Sequence, residues 1–211
     1  PAVNGNKLTI YHGVLQTAYN FNDVMQQLCN YVTQHSSEFC VVVIRHETDG
    51  DDNNANFGSM LQTSLTQFSD YLVNFRPNLT VGEARGKILF LSRDEYNAPI
   101  RGGRITGWPG NTSSNAGQCY GLETHKCSMW VQDFFEYSDV NDKKNSIEAM
   151  LNQSRQLAGK YNYTWVINET SGYKGTGTNS ACQTNAKNCN KYMQELLASG
   201  NYNGPAGLVF M

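Results

Sequence analysis

One stretch of the chain is compatible with few folds. Residues 39–44 are six consecutive apolar residues, Phe-Cys-Val-Val-Val-Ile. Because no polar side chain alternates with the apolar ones, we expect a strand that is covered on both faces. Residues 88–91, Ile-Leu-Phe-Leu, repeat this pattern. Strands of this kind are typical of parallel sheets, which have helices on both faces.

The rest of the chain supplies helical and loop patterns between such strands. Apolar residues recur at helical spacing in four segments: 21–35, 57–72, 147–158 and 192–197. Six segments are predicted strands: 8–12, 39–45, 87–93, 128–133, 164–168 and 207–211. Three segments are predicted loops: 101–110, 111–127 and 169–189. The alternation of strands and helices predicts an α/β fold with a parallel sheet and right-handed crossovers.

Polar residues stand at the ends of four predicted strands. They are His12, Arg45, Arg93 and Asp133. Catalytic groups occupy these positions in (β/α)₈ barrels and in doubly wound sheets. No G-x-G-x-x-G follows a strand and no G-x-x-x-x-G-K-[S/T] occurs, so nucleotide binding has no support. His12 ends a predicted strand and is followed by Gly13. This motif alone is equally compatible with a catalytic histidine and with a structural cap.

The composition excludes some classes of function. Charged residues make up 16% of the chain and the net charge is -2. A nucleic-acid binder needs clustered Lys and Arg to neutralise phosphates, so we expect no nucleic-acid partner. No apolar run approaches the roughly 18 residues of a membrane helix. Contact with a membrane would therefore be confined to its surface.

Six cysteines form three pairs that are close in sequence: Cys29/Cys40, Cys119/Cys127 and Cys182/Cys189. An even number at close spacing favours disulfides and an oxidising compartment. Five N-x-[S/T] sequons are also present. The alternative is buried free thiols and chance sequons in an Asn-rich chain. We favour a secreted or otherwise exported protein, extracellular or periplasmic, and leave the pairing open.

Three motifs together resemble a known family. They are Ile10-Tyr11-His12-Gly13, the run Val-Gly-Glu-Ala-Arg-Gly-Lys-Ile at 81–88 that leads to Arg93, and Val131-Gln132-Asp133. The chain resembles the X-domain of phosphatidylinositol-specific phospholipases C, the bacterial metal-independent type most closely. The resemblance implies a distorted (β/α)₈ barrel that converts phosphatidylinositol, or a glycosyl-inositol lipid, to diacylglycerol and inositol 1,2-cyclic phosphate. Lipid metabolism would then be its setting, with transient contact to a membrane surface, and we expect a monomer.

The resemblance also implies roles for five residues. His12 matches the histidine that protonates the leaving alkoxide, a role that suits an imidazole at neutral pH. Arg45, Arg93 and Asp133 match positions that hold the inositol hydroxyls, and Phe135 replaces a tyrosine that stacks on the ring. The structural alternatives are ion pairs, Arg93 with Asp133 and Arg45 with Glu47 or Glu95. Trp108, Phe134 and Phe135 either form an aromatic rim that touches lipid or cover the end of the barrel.

No cofactor or metal is expected. Arg45 would repel the Ca²⁺ that the animal-type enzymes bind near this strand end, and calcium needs six or more oxygen ligands. The acidic cluster of Asp49, Asp51 and Asp52 lacks the spacing of a calcium loop, so we interpret it as a solvated turn. A metal-dependent phosphodiesterase on the same barrel, such as a glycerophosphodiesterase, ranks last because the strand ends are rich in cations.

The sequence departs from the family in three respects. Three features of the family have no match here. They are the G-T-H-D-S-type motif that contains the base histidine, the arginine that binds the phosphate, and the aspartate that orients the second histidine. Six strands are predicted, whereas a closed barrel has eight. We therefore expect residues 1–211 to be a segment of a single catalytic barrel domain that lacks the first strands and the end of the last one. The main alternative function is a non-catalytic inositol- or glycan-binding protein on the same barrel.

Overall fold

The structure, a computed structural model, describes residues 1–47, 56–93, 102–111, 115–121, 126–159 and 164–211, with only the backbone for 115–121 and 126–127. These residues form two compact units. Unit 1 contains Pro1–Thr106 and Cys119–Lys126. Unit 2 contains Gly107–Gln118 and Cys127–Met211. The acidic cluster predicted to be a solvated turn, and Glu95, lie outside the described residues.

Unit 1 contains seven of the described strands and three helices. The strands are β1 (Ala2–Asn4), β2 (Lys7–His12), β3 (Leu15–Asn20), β4 (Cys40–Ile44), β5 (Leu72–Val73), β6 (Ile88–Ser92) and β7 (Gly103–Thr106). The helices are α1 (Phe21–Gln34), α2 (Phe57–Gln67) and α3 (Val81–Ala84), with a 3₁₀ turn at Ser69–Tyr71. Helix α1 follows its N-cap residue Asn20. The Asn20 side chain accepts a hydrogen bond from the Asp23 N–H, and the Asp23 carboxylate accepts one from the Asn20 N–H.

The centre of the unit 1 sheet is β6. It pairs in parallel with β4, from Cys40 opposite Ile88 to Ile44 opposite Ser92, and also with β5 and β7. All of its residues are buried, as the apolar run predicted. In β4 only Ile44 is buried and the other residues are half-exposed, so coverage on both faces was wrongly predicted for this strand. The physical reason is that β4 pairs with β6 alone among the described strands, which leaves one of its edges unpaired.

The N-terminal strands differ from the prediction. A parallel strand at 8–12 followed directly by a helix was expected, whereas β1, β2 and β3 form an antiparallel meander. Gly13 makes the hairpin between β2 and β3 with a φ of 58°. No residue of β3 is buried. A strand without a buried face needs no alternation of apolar and polar residues, and its sequence therefore gave no strand signal.

Unit 2 contains further parallel strands and the two longest described helices. Its strands are β9 (Lys126–Gln132), β10 (Glu136–Tyr137), β11 (Thr164–Glu169), β12 (Tyr173–Lys174) and β13 (Leu208–Phe210), and its helices are α4 (Val140–Leu157) and α5 (Asn179–Ala198). Strand β11 pairs in parallel with β9 and with β13. The predicted strands at 128–133, 164–168 and 207–211 are confirmed. Both units are α/β, which confirms the predicted class.

All three predicted loops contain strands, and in the third, 169–189, the strand is β12. Strand β7 occupies part of 101–110, and β8 (Asn115–Gly121), divided between the units, occupies part of 111–127. Both segments are rich in Gly and polar residues, which predict loops. Helix α5 likewise begins ten residues before Cys189, inside the third predicted loop. Its buried face starts with Asn185 rather than with an apolar residue, so the apolar periodicity begins late.

The cysteine side chains that the structure describes are free thiols. They are Cys29, Cys40, Cys182 and Cys189. The close spacing favoured disulfides with the pairing left open. A bridge between Cys182 and Cys189 does not form, because both lie on α5 and seven residues of helix separate their Cα atoms by about 10 Å, beyond the reach of a disulfide. Cys29 and Cys40 contribute to the apolar core of unit 1 instead. The side chains of Cys119 and Cys127 lie outside the described residues.

Candidate functional site

His12 is the last residue of β2 and its side chain is exposed. Side chains two residues apart share one face of a strand, so His12 lies on the same face as Leu8 and Ile10. Leu8 is buried in the core of unit 1 and Ile10 packs against that core. The imidazole therefore stands at the open end of an otherwise apolar strand face, accessible to a ligand.

Arg45 and Arg93 are neighbours in space. Each directly follows the end of a strand, β4 or β6, and these strands pair with Ile44 opposite Ser92. The Arg93 N–H donates to the Ile44 carbonyl at 2.9 Å, which continues the pairing by one step. The two arginines thus lie side by side at the carboxyl edge of the unit 1 sheet. Like charges this close attract an anionic or polyhydroxylated ligand.

His12 lies at the same end of unit 1 as Arg45. The Glu47 N–H donates to the Pro1 carbonyl at 2.8 Å, which attaches the start of β1 to the segment after β4. In the antiparallel β1–β2 pair Ala2 is opposite Thr9, so the residues of β2 that follow Thr9 continue past Pro1. His12, the last residue of β2, therefore lies beyond Pro1 on this side. The structure therefore brings three of the five predicted site residues to one end of unit 1. The alternative pairing of Arg45 with Glu47 is not formed within the described part of the chain.

Asp133 directly follows β9 in unit 2, and its side chain is nearly buried. Its carboxylate Oδ2 accepts a hydrogen bond from the Trp108 indole Nε1–H at 2.6 Å. From the sequence, Trp108 was expected only in an aromatic rim or a cover of the barrel end, so this polar role was missed. The Trp108 indole thus fixes the orientation of the Asp133 carboxyl group.

Phe135 is half-buried two residues beyond Asp133. Its ring centroid lies 6.1 Å from that of Tyr173, and its carbonyl accepts a hydrogen bond from the Tyr173 N–H at 2.7 Å. A Cβ at Gly172 would lie 2.8 Å from the same carbonyl oxygen, so only glycine permits this approach. The segment after β9 is thereby fixed against the segment after β11.

A buried amide, which the sequence analysis did not single out as a site residue, joins these elements. The Gln132 side chain is fully buried at the end of β9. Its Nε2 donates to the Asn168 Oδ1 and to the Glu169 carbonyl, both at 2.8 Å. Its Oε1 accepts from the Phe134 N–H at 2.8 Å and from the Lys143 Nζ at 3.0 Å. Both ends of this amide are saturated, so its orientation is defined.

Two further observations bear on ligands. Among the described residues, no group of three or more His, Cys, Asp or Glu could hold a metal ion. An open cleft of about 400 Å³ in unit 1 is lined by residues that include Lys7 and Asn20. Lys7 begins β2 whereas His12 ends it, so this cleft lies away from the strand ends described above.

The fold is similar to that of solved bacterial phosphatidylinositol-specific phospholipases C. The chain aligns over 100% of its length with phosphatidylinositol-specific phospholipase C from Staphylococcus aureus carrying a pentafluoro-phenylalanine, with a TM-score of 0.78, 14% identity and 69% of that chain covered. A second structure of the S. aureus enzyme, concerned with modulation of membrane binding, gives a TM-score of 0.77 at 15% identity, with 100% and 70% covered. The enzyme from Listeria monocytogenes gives 0.66 at 21% identity, with 97% and 69% covered.

The resemblance that the sequence motifs indicated is thus confirmed at the level of the fold. No protein-family model matches this sequence, and no curated protein matches it significantly.

Proposed function

We propose that the protein is a phosphodiesterase of the phosphatidylinositol-specific phospholipase C type. It would cleave phosphatidylinositol, or a glycosyl-inositol lipid, to diacylglycerol and inositol 1,2-cyclic phosphate. The observation that carries this proposal is the likeness of the whole chain to bacterial enzymes of that activity, at a TM-score of 0.78. It also carries the proposal of a distorted (β/α)₈ barrel as a single catalytic domain.

The proposed chemistry assigns each strand-end residue one task. The inositol 2-hydroxyl attacks phosphorus, the bond from phosphorus to the glycerol oxygen breaks, and His12 donates a proton to that oxygen. The exposed position of His12 at the end of β2 supports this role. Arg45, Arg93 and Asp133 would hold the ring hydroxyls, and the guanidinium groups suit paired oxygens. Phe135 would stack on the ring through its apolar face.

The proposal includes the surroundings of the enzyme. We propose an exported protein that acts as a monomer, without a metal, on a membrane surface. None of the described helices is long and apolar enough to span a membrane. We place the membrane contact at the surface near the strand ends, because His12 is followed in the hairpin by the exposed apolar residues Val14 and Leu15.

A non-catalytic inositol- or glycan-binding protein is the second candidate. It is favoured by one observation, the adjacent position of Arg45 and Arg93 at the strand ends, which suits a polyhydroxylated ligand whether or not that ligand is cleaved. Such a protein would keep Arg45, Arg93 and Asp133 as ligand contacts and would have no use for His12 as an acid.

The two candidates are separated by an assay of the native protein on lipid vesicles. We expect release of water-soluble inositol phosphate from phosphatidylinositol vesicles, none from phosphatidylcholine vesicles, and no effect of EDTA. Binding of myo-inositol without turnover would support the second candidate. Abolition by EDTA would contradict the metal-independent mechanism, since acid–base catalysis by side chains needs no Lewis acid.

A further inference from the structure

Lys143 has a costly position in unit 2. Its side chain is fully buried, although lysine is almost never buried without a charged partner. It lies in the first turns of α4, where the helix dipole disfavours a cation. Its hydrogen bond within the described structure is to a neutral group, the Gln132 Oε1, at 3.0 Å. A methionine would fill similar space without these costs, so stability alone does not explain a lysine here.

The contact with Gln132 has a geometric consequence. An ammonium group can only donate hydrogen bonds, so it selects the orientation of the Gln132 amide in which the oxygen faces it. The same oxygen accepts the Phe134 N–H at 2.8 Å and closes a turn around Asp133. With the amide reversed, an NH₂ group would face the Phe134 N–H and the turn would lose its acceptor.

The other end of the amide depends on the same choice. In the observed orientation the Gln132 Nε2 faces two acceptors, the Asn168 Oδ1 and the Glu169 carbonyl. The Asn168 Nδ2 in turn donates to the Ile147 carbonyl of α4 at 3.0 Å. One buried cation thus fixes a hydrogen-bond chain that links the end of β9, the end of β11 and α4.

We propose that Lys143 is a positioning residue, which through the Gln132 amide holds Asp133 and Phe135 in the geometry that binds the inositol ring. The inference rests on the proposed function for the identity of the ligand. Holding a binding group to within about 0.5 Å requires that its supporting hydrogen bonds be fixed in this way.

The charge state of Lys143 is adjustable near neutral pH. Burial lowers the pKa of its ammonium from 10.5 to about 8, although Cys189 of α5, Asp133 after β9 and Glu169 at the end of β11 favour the charged form. The ammonium is therefore the main form at pH 7 and is lost above pH 8. Because the unfolded chain keeps the proton up to its higher pKa, the contribution of Lys143 to the free energy of unfolding should rise as the pH goes from about 8 to 10.

The test compares Lys143→Met with Lys144→Met, the neighbouring lysine, which is only half-buried. We expect Lys143→Met to weaken myo-inositol binding and kcat/KM for phosphatidylinositol by about tenfold to 100-fold, since misplacing a binding group by about 1 Å has effects of this size. Lys144→Met should leave both unchanged. Retained affinity and kcat/KM in folded Lys143→Met would overturn the proposal.

A second readout is independent of phospholipase activity. In Lys143→Met the Phe134 amide should exchange with solvent at least tenfold faster, and in the unmodified protein the side-chain NMR signals of Gln132 should shift with a midpoint near pH 8. Lys144→Met should leave the exchange rate of the Phe134 amide unchanged. The Gln132 titration needs no variant, so it decides the matter even if Lys143→Met does not fold. Gln132 signals that do not respond when Lys143 loses its proton, followed in the same titration through the side-chain signals of Lys143 itself, would overturn the proposal, whatever the ligand.

Discussion

Replacing His12 by alanine should lower the turnover of phosphatidylinositol by about 10²- to 10⁴-fold, the usual contribution of a general acid. The alkoxide of diacylglycerol is a poor leaving group unless it is protonated as the phosphorus–oxygen bond breaks. Because the His12 side chain is exposed at the end of β2, the same change should alter the free energy of unfolding by no more than about 0.5 kcal/mol. Initial rates on phosphatidylinositol vesicles and urea denaturation measure the two effects.

A second substrate separates an acid from a binding residue. A p-nitrophenyl ester of inositol phosphate has a leaving group that departs without a proton, so His12→Ala should lose much less activity on it. His35→Ala is the matched control, because His35 is also exposed and lies just beyond α1, at the opposite end of β4. An equal loss on both substrates would show that His12 is not the leaving-group acid.

Gly102→Ala should destabilise the protein by about 4 kcal/mol or more, in the range typical of severe backbone strain and overlap. Gly102 has a φ of 104°, which side-chain-bearing residues rarely adopt. A Cβ there would lie 2.1 Å from the carbonyl oxygen of Phe90, a fully buried residue at the centre of β6. The backbone cannot move away easily, because the Gly102 carbonyl accepts a hydrogen bond from the Phe75 N–H at 3.1 Å.

Gly110→Ala provides the control for this change. A Cβ at Gly110 would meet no atom within 4 Å, so we expect a change within about 0.5 kcal/mol. Urea titration of both variants measures the difference. Similar denaturation midpoints for the two would mean that the approach of Gly102 to β6 is not rigid, and the placement of β7 beside Arg93 would lose its support.

The strands that matter for the site could be predicted from the sequence because their signals are local. The apolar run of β6 ends where Arg93 begins, and the register with β4 then places Arg45 beside it. The position of His12 at a strand end followed from Tyr11-His12-Gly13 in the same way. That His12 belongs to an antiparallel hairpin could not be inferred, since the exposed partner β3 has no apolar pattern.

The polar supports of the site could not be predicted because they join residues that are far apart in sequence. Trp108 and Asp133 are 25 residues apart, and Gln132 and Asn168 are 36 residues apart. The composition and spacing of such residues indicate nothing about pairing until the strands are aligned. Lys143 is a further example, since a lysine in the first turns of a polar helix is normally interpreted as a solvated residue.

The identity of the first product tests the account most directly. Attack by the inositol 2-hydroxyl requires a ring that is held by its hydroxyls and a leaving group that is protonated, which are the tasks assigned to Arg45, Arg93, Asp133 and His12. ³¹P NMR of phosphatidylinositol incubated with the native protein and EDTA should show inositol 1,2-cyclic phosphate as the first product. Direct formation of inositol 1-phosphate, or no new phosphorus signal, would contradict the account.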